Sequence, residues 1–313
     1  MRGLELAERF YLEYGAEMLH KDFPQLEGLV AVGLAGSGSE CFGFDDELSQ
    51  DHDFEAGFCI FLPDETLVDR KTEFALERAY SKLPKEFMGF KRGRLSAVGG
   101  NRHGVMRISD FFSDKTGSPD GELSLREWFF LSEQSLAEAT NGKVFCDGLG
   151  LFSSIRERLS YLPETVRLKK LAGNLVIMGQ SGQYNYPRCI ARKESGAGQL
   201  AVAEFVNSAL NAIFLLNKKY IPYYKWSFRA LRELPLLSHL HNDLEMLISS
   251  GNNESEVKAK QGFIEAICQA VIDELRAQDL TDRAEGDIGA FAYDVNDKIT
   301  DGEIRNLHIL YAV

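Results

Sequence analysis

The chain has 313 residues, a formal charge of −12 and 44% apolar residues, which gives room for two domains and a sizeable core. The acidic balance opposes nucleic acid as a partner, because a polyanion binder needs a basic face to displace counterions; it favours a neutral or cationic ligand. No uninterrupted apolar run reaches the length of a membrane span, and Met1-Arg2-Gly3-Leu4-Glu5 does not read as a signal peptide. Five scattered cysteines with no Cys-x-x-Cys pair predict reduced thiols in the cytoplasm and argue against a zinc site.

In chain order, residues 3–20 read as an amphipathic helix. Leu29-Val30-Ala31-Val32-Gly33-Leu34 reads as a strand, followed by the turn Gly36-Ser37-Gly38-Ser39. Eleven residues later comes Asp51-His52-Asp53, leading into the apolar run Phe58-Cys59-Ile60-Phe61-Leu62. A strand over 51–62 puts Asp51 and Asp53 on one face, since side chains alternate along an extended chain, with His52 on the other. Two carboxylates so placed suit a hard divalent cation such as Mg²⁺, which completes its shell with phosphate oxygens and water. The Gly/Ser turn offers backbone N–H groups and hydroxyls to a phosphate.

Residues 64–83 read as a helix capped by Asp64 after Pro63. A Gly- and Arg-rich loop over 91–102 leads to a strand over 103–109. Residues 123–139 read as a helix capped by Ser124 or Asp120, Asn141-Gly142 as a turn, and Val144-Phe145-Cys146-Asp147 as a short strand. Beyond residue 150 the pattern is helical, over 151–161, 163–180, 186–220, 225–231, 238–249 and 255–277. The tail from Asp301 ends apolar and is expected to dock. These elements predict an α+β protein: a mixed sheet with helices over 1–148 and an all-α domain over 149–313.

The order of apolar strand, Gly38-Ser39, eleven residues and Asp51-His52-Asp53 resembles the nucleotidyltransferase superfamily of polymerase-beta-like, aminoglycoside and minimal nucleotidyltransferases. The resemblance covers roughly residues 25 to 115. The middle residue of the acidic motif is usually apolar in that family; His52 resembles a less characterised branch with a helical C-terminal half. The resemblance implies Mg²⁺ (or Mn²⁺) on Asp51 and Asp53, a nucleoside triphosphate such as ATP held by Gly38 and Ser39, and transfer of the nucleoside monophosphate to a hydroxyl of a small molecule or protein, with pyrophosphate released. A third carboxylate is expected on a later strand. Arg107 stands where it would fall, so Asp110 just beyond, or Glu55 on the face of Asp51 and Asp53, takes that place. If neither serves, the alternative is a nucleotide-binding or interaction protein without catalysis.

Two clusters in the helical half complement this site. Arg188 and Arg192, four apart, follow Tyr184 and offer cations to a triphosphate. Tyr223, Lys225 and Trp226 lie in a dense aromatic segment, where Lys225 would meet phosphate while Tyr184, Tyr223 and Trp226 bracket the acceptor. Lys225, Arg229 and Arg232 form one basic helical face.

Overall fold

The computed structural model describes residues 1–49, 54–92, 102–311 and 313. The protein is α+β, about 60% helical with a small mixed sheet in its N-terminal half. It forms two compact units: Met1–Leu123 with Leu131–Ser160, and Ser124–Phe130 with Tyr161–Val313.

The first unit is built on strands β1 (Ala31–Leu34), β2 (Cys59–Leu62), β5 (Gly104–Arg107) and β6 (Lys143–Asp147), ordered β5-β2-β1-β6. A separate hairpin, β3 (Glu86–Phe87) and β4 (Phe90–Lys91), turns through Met88 and Gly89, both at positive φ. β1 is antiparallel to β2 and β6, whereas β5 runs parallel to β2. Every residue of β1 and β2 is buried, as expected of central strands covered on both faces. On one face Ile60 and Leu62 join Leu6, Phe10, Phe58, Leu76 and Tyr80. On the other, Phe61 stacks on Phe152 at 4.0 Å, with Phe111 and Phe112 alongside. That aromatic cluster is why helix Leu151–Arg158, which the sequence reading assigns to the helical half, belongs to the sheet-bearing unit.

Several boundaries differ from the sequence reading. Of the strand expected over 51–62, Cys59–Leu62 is strand and 54–58 form none; Asp51 and Asp53 lie outside the described residues. The helix expected from Asp64 starts at Arg70 with Asp69 as its cap, accepting from Thr72 N at 2.8 Å. Asp64 instead closes a tight turn by accepting Thr66 N at 2.8 Å. The helix expected over 123–139 is two, Leu125–Phe130 and Glu133–Thr140, and the first belongs to the second unit. Ser124 caps it, exchanging hydrogen bonds with Glu127 as in a capping box.

The second unit is helical, with no strand among its described residues. Its centre is Glu164–Met178 and Ser195–Leu216, both buried along most of their length. The helix expected over 186–220 breaks after Ala191, where Lys193 adopts φ 62°. Ser195–Leu216 is by length and mean composition apolar enough to cross a membrane, although polar residues interrupt it; 61% of its apolar window is buried inside the protein, as in a core helix. Helices Ile288–Asp297 and Gly302–Asn306 were not foreseen. The tail docks as expected: Lys169 Nζ donates to the carbonyls of Arg305 and Leu307 at 3.2 and 2.6 Å, and Tyr311 packs edge-on against Phe129.

Removing a fully buried aromatic costs about 3–5 kcal/mol. Phe152→Ala should therefore strip amide protection from peptides covering Cys59–Leu62 in hydrogen exchange and leave those covering Ser195–Leu216 unchanged. Equal loss in both segments would show that Phe152 is not specific to the first unit.

Candidate functional site

Strand directions bring four segments to one edge of the sheet. Gly33 pairs with Cys59, Cys59 with Gly104, and Leu34 with Lys143. The end of β1 and the starts of β2, β5 and β6 therefore meet, and with them the Gly36–Ser39 turn, residues 54–58, Arg102-His103 and Asn141-Gly142.

The turn is shaped by its glycines. Gly36 and Gly38 have φ of 112° and 128°, open to glycine and strained for other residues. A Cβ on Gly38 would lie 2.4 Å from Glu40 Oε1. Asn141 grips the turn from the side: Gly36 N donates to Asn141 Oδ1 at 2.9 Å, and Asn141 Nδ2 donates to Gly36 O at 2.8 Å. Ser37 Oγ donates to Glu138 Oε2 at 2.8 Å, and Lys115 Nζ donates to the same oxygen at 2.9 Å and to Ser37 Oγ at 3.3 Å. Burial works against the Lys115 charge, but Glu138 and Asp114 outweigh it and hold the pKa above its ordinary value.

Glu40 is 7% exposed. Burial pushes its carboxyl pKa up, offset in part by its own backbone N–H and by the charges of His103 and Arg102. Across the edge, His103 Nδ1 bonds Glu55 Oε1 at 3.2 Å, and the His103 ring lies over Gly57. Gly3 links the turn to the segment that follows Asp53: a Cβ there would lie 2.5 Å from Glu40 Cβ and 3.1 Å from Phe54 Cε2. Asp45 caps the same helix start, accepting Gly3 N at 2.8 Å.

Of the residues singled out from sequence, Gly38 and Ser39 lie half-buried at this edge and Glu55 shares it. Asp110 does not. It sits exposed in the first turn of helix Ile108–Thr116, beyond the end of β5 at which Arg107 pairs with Leu62. Arg107 is taken up by Glu73, at 2.5 and 3.2 Å, and by Pro63 O at 2.8 Å. Asp51 and Asp53 lie outside the described residues, and the candidates from the helical half belong to the second unit. Arg188 donates to Tyr184 OH at 2.5 Å with its guanidinium 4.6 Å from that ring, and Arg192 is exposed. Lys225 lies 5.1 Å from the Trp226 ring, Tyr223 packs on Tyr224 at 4.3 Å, and Arg232 pairs with Glu245 at 3.2 Å.

Sequence reading missed Glu40, His103, Lys115, Glu138 and the clamping role of Asn141. Only Asn141 carried a local signal, as half of an Asn-Gly turn. A Cβ on Gly142 would fall 1.9 Å from Leu34 O, so the close approach of that turn to β1 requires glycine.

A protein-family profile described as a domain of unknown function (DUF4037) matches residues 128–227. It takes in Glu138, Asn141, Arg188, Arg192, Lys225 and Trp226, and leaves out Gly36–Ser39 and Asp51–Asp53. No curated protein and no solved structure matches the chain.

A carboxyl raised by burial is charged at a cost in the folded state. That cost is absent below the unfolded value near 4.5 and grows as the pH rises from there through the folded pKa. Glu40→Gln should thus melt higher than the parent at pH 7.5, with the difference closing towards pH 4. A constant difference across that range would show that ionised Glu40 is not penalised.

Proposed function

We propose that the first unit transfers a nucleoside monophosphate from a triphosphate, ATP in the first instance, to an acceptor hydroxyl. The observation that carries this reading is that Gly3 lies against both Glu40 and Phe54, the residues that follow the turn and Asp53. That shared neighbour supports a common site for the Gly36–Ser39 turn and the acidic motif, since Asp53 lies only six residues before β2, a reach of about 20 Å at full extension. The carboxylates offered there are hard oxygen donors, and the burial cost on Glu40 is one that a nearby cation would relieve. Asp51 and Asp53 would hold Mg²⁺ or Mn²⁺, which when bound neutralises phosphate charge.

In this reading the backbone N–H groups at Gly38 and Ser39 bind the phosphate tail. Lys115, on the same unit and already against Ser37, contributes the cation that the motif itself lacks. Glu55, oriented by His103, replaces Asp110 as the third acid. The acceptor oxygen attacks the α-phosphorus; its bond forms as the bond to the β-phosphate oxygen breaks, and pyrophosphate leaves. The acceptor is a neutral or cationic small molecule or a protein side chain. The protein works in the cytoplasm, with neither nucleic acid nor membrane as partner.

A second reading, nucleotide binding without turnover, has one observation in its favour. Glu138 and Glu40 already set carboxylates against Ser37 and Gly38.

Calorimetry with ATP and Mg²⁺ or Mn²⁺ tests binding, and α-labelled ATP with an acceptor panel tests turnover. Asp51→Asn with Asp53→Asn should abolish metal-dependent affinity. Lys115→Ala should weaken it about ten- to a hundredfold, the worth of one charge-assisted contact. Arg188→Ala or Lys225→Ala should cost more than about twofold if the second unit contributes phosphate contacts. Undiminished metal-dependent binding in the aspartate double variant would sink the site assignment, and binding without turnover would leave the second reading standing.

A further inference from the structure

A groove of about 720 Å³ lies in the first unit between helices Ala16–Asp22 and Arg70–Ser81. Its apolar lining includes Met18, Phe23 and Leu83, each 8% exposed. Phe74 stands up from one wall at 59% exposure, although a phenylalanine on a helix normally buries its ring. None of these residues belongs to the turn site, and the inference does not depend on the function proposed above.

Charge sets this groove apart. The chain as a whole carries −12, yet four cations line it, Lys21, Lys71, Arg78 and Lys82, against two acids, Glu17 and Asp22. Lys21 is paired with Glu17. Lys71, Arg78 and Lys82 make no ion pair among the described residues; Arg78 lies 6.0 Å from the Phe74 ring centre. Residues 71, 74, 78 and 82 are spaced three and four apart, so they line one face of a helix. The result is a stripe of three cations with an exposed aromatic ring between the first two.

We propose that this groove docks an acidic amphipathic segment of a partner protein, with an apolar side chain packed on Phe74 and carboxylates along Lys71, Arg78 and Lys82. Length decides between peptide and small ligand. From Lys71 to Lys82, the C-cap of the helix, the cations extend over eleven residue steps, about 16 Å, too far for one carboxylate or phosphate to bridge and matched by a three-turn helix. Shape argues against a flat lipid surface, which cannot reach the floor at Met18 and Leu83. The exposed ring beside a guanidinium is the pairing from which interface hot spots are built.

A random peptide library displayed on phage and selected on the full chain gives the test. The selected peptides should be enriched in Asp and Glu around an aliphatic or aromatic anchor. Synthetic copies of them should bind the parent, and Phe74→Ala and Lys71→Gln/Arg78→Gln should each weaken binding at least about tenfold while the melting temperature stays at the parent value. Lys258→Gln, an exposed lysine on the second unit, should bind as the parent. Selection of peptides without acidic enrichment, or binding indifferent to Phe74 and to the two cations, overturns the proposal. So does binding of equimolar phosphatidylcholine/phosphatidylserine vesicles or of poly(dT) that depends on these residues when no acidic peptide is selected, since the groove would then serve a membrane or a polyanion.

Discussion

The two hydrogen bonds between Gly36 and the Asn141 side chain fix the edge of the sheet on which the candidate site stands. They join positions 105 apart in sequence. Gly36 is buried at a backbone angle that takes its peptide out of the strand ladder, so its N–H and C=O need partners from elsewhere. A side-chain amide supplies one acceptor and one donor in the right sense. The fit requires β6 to run beside β1, and it requires a glycine at 142 so that the chain can close on Leu34. The helix before β6 then delivers Glu138 to Ser37, and helix Ile108–Thr116 delivers Lys115 to both. The geometry of a four-residue turn is thus set by two later parts of the chain.

Buried cations find two kinds of partner in this protein. In the first unit, cations face carboxylates: Arg107 with Glu73 and Lys115 with Glu138. In the second unit, Arg167 likewise faces Glu164 at 2.6 Å, while two fully buried lysines meet neutral acceptors. Lys169 donates to Asn296 Oδ1 and two backbone carbonyls, and Lys260 to Gln199 Oε1 and Ser250 O. Desolvation lowers the pKa of both. These lysines act as crosslinks between helix ends and loops, joining the tail and the 250–252 turn to the helical core.

The α+β class, the central strands and most helices were legible because each carries its own periodicity. Errors fell where local chemistry offers two equal answers. Asp64 and Asp69 each precede a threonine that can be capped, and the choice went to the start that turns Leu76 and Tyr80 into the core. The break between Phe130 and Glu133 is masked by an unbroken apolar run, Trp128-Phe129-Phe130-Leu131. Of the candidate site, the glycines could be read because positive φ leaves a mark in composition. Lys115 and Glu138 could not: a lysine 78 residues from its serine follows no period, and its placement depends on the packing of Phe111 and Phe112 under the same helix.

The span of the family match carries a structural consequence. Residues 128–227 begin in the second unit, cross the first from Leu131 to Ser160 and return to the second. Within them, β6 is an edge strand whose ladder partner β1 lies outside the matched region. Helix Ser195–Leu216 is covered in part by helices His241–Ser249 and Glu254–Ala277, also outside it. A fragment cut to the match would expose an unpaired strand edge and a long apolar helix, both of which favour aggregation over folding. The matched region is therefore a stretch of sequence whose elements pack, in each unit, on segments outside it. Its two chemically loaded ends, Glu138–Asn141 and Tyr223–Trp226, fall in different units, each folded around partners that the match does not include.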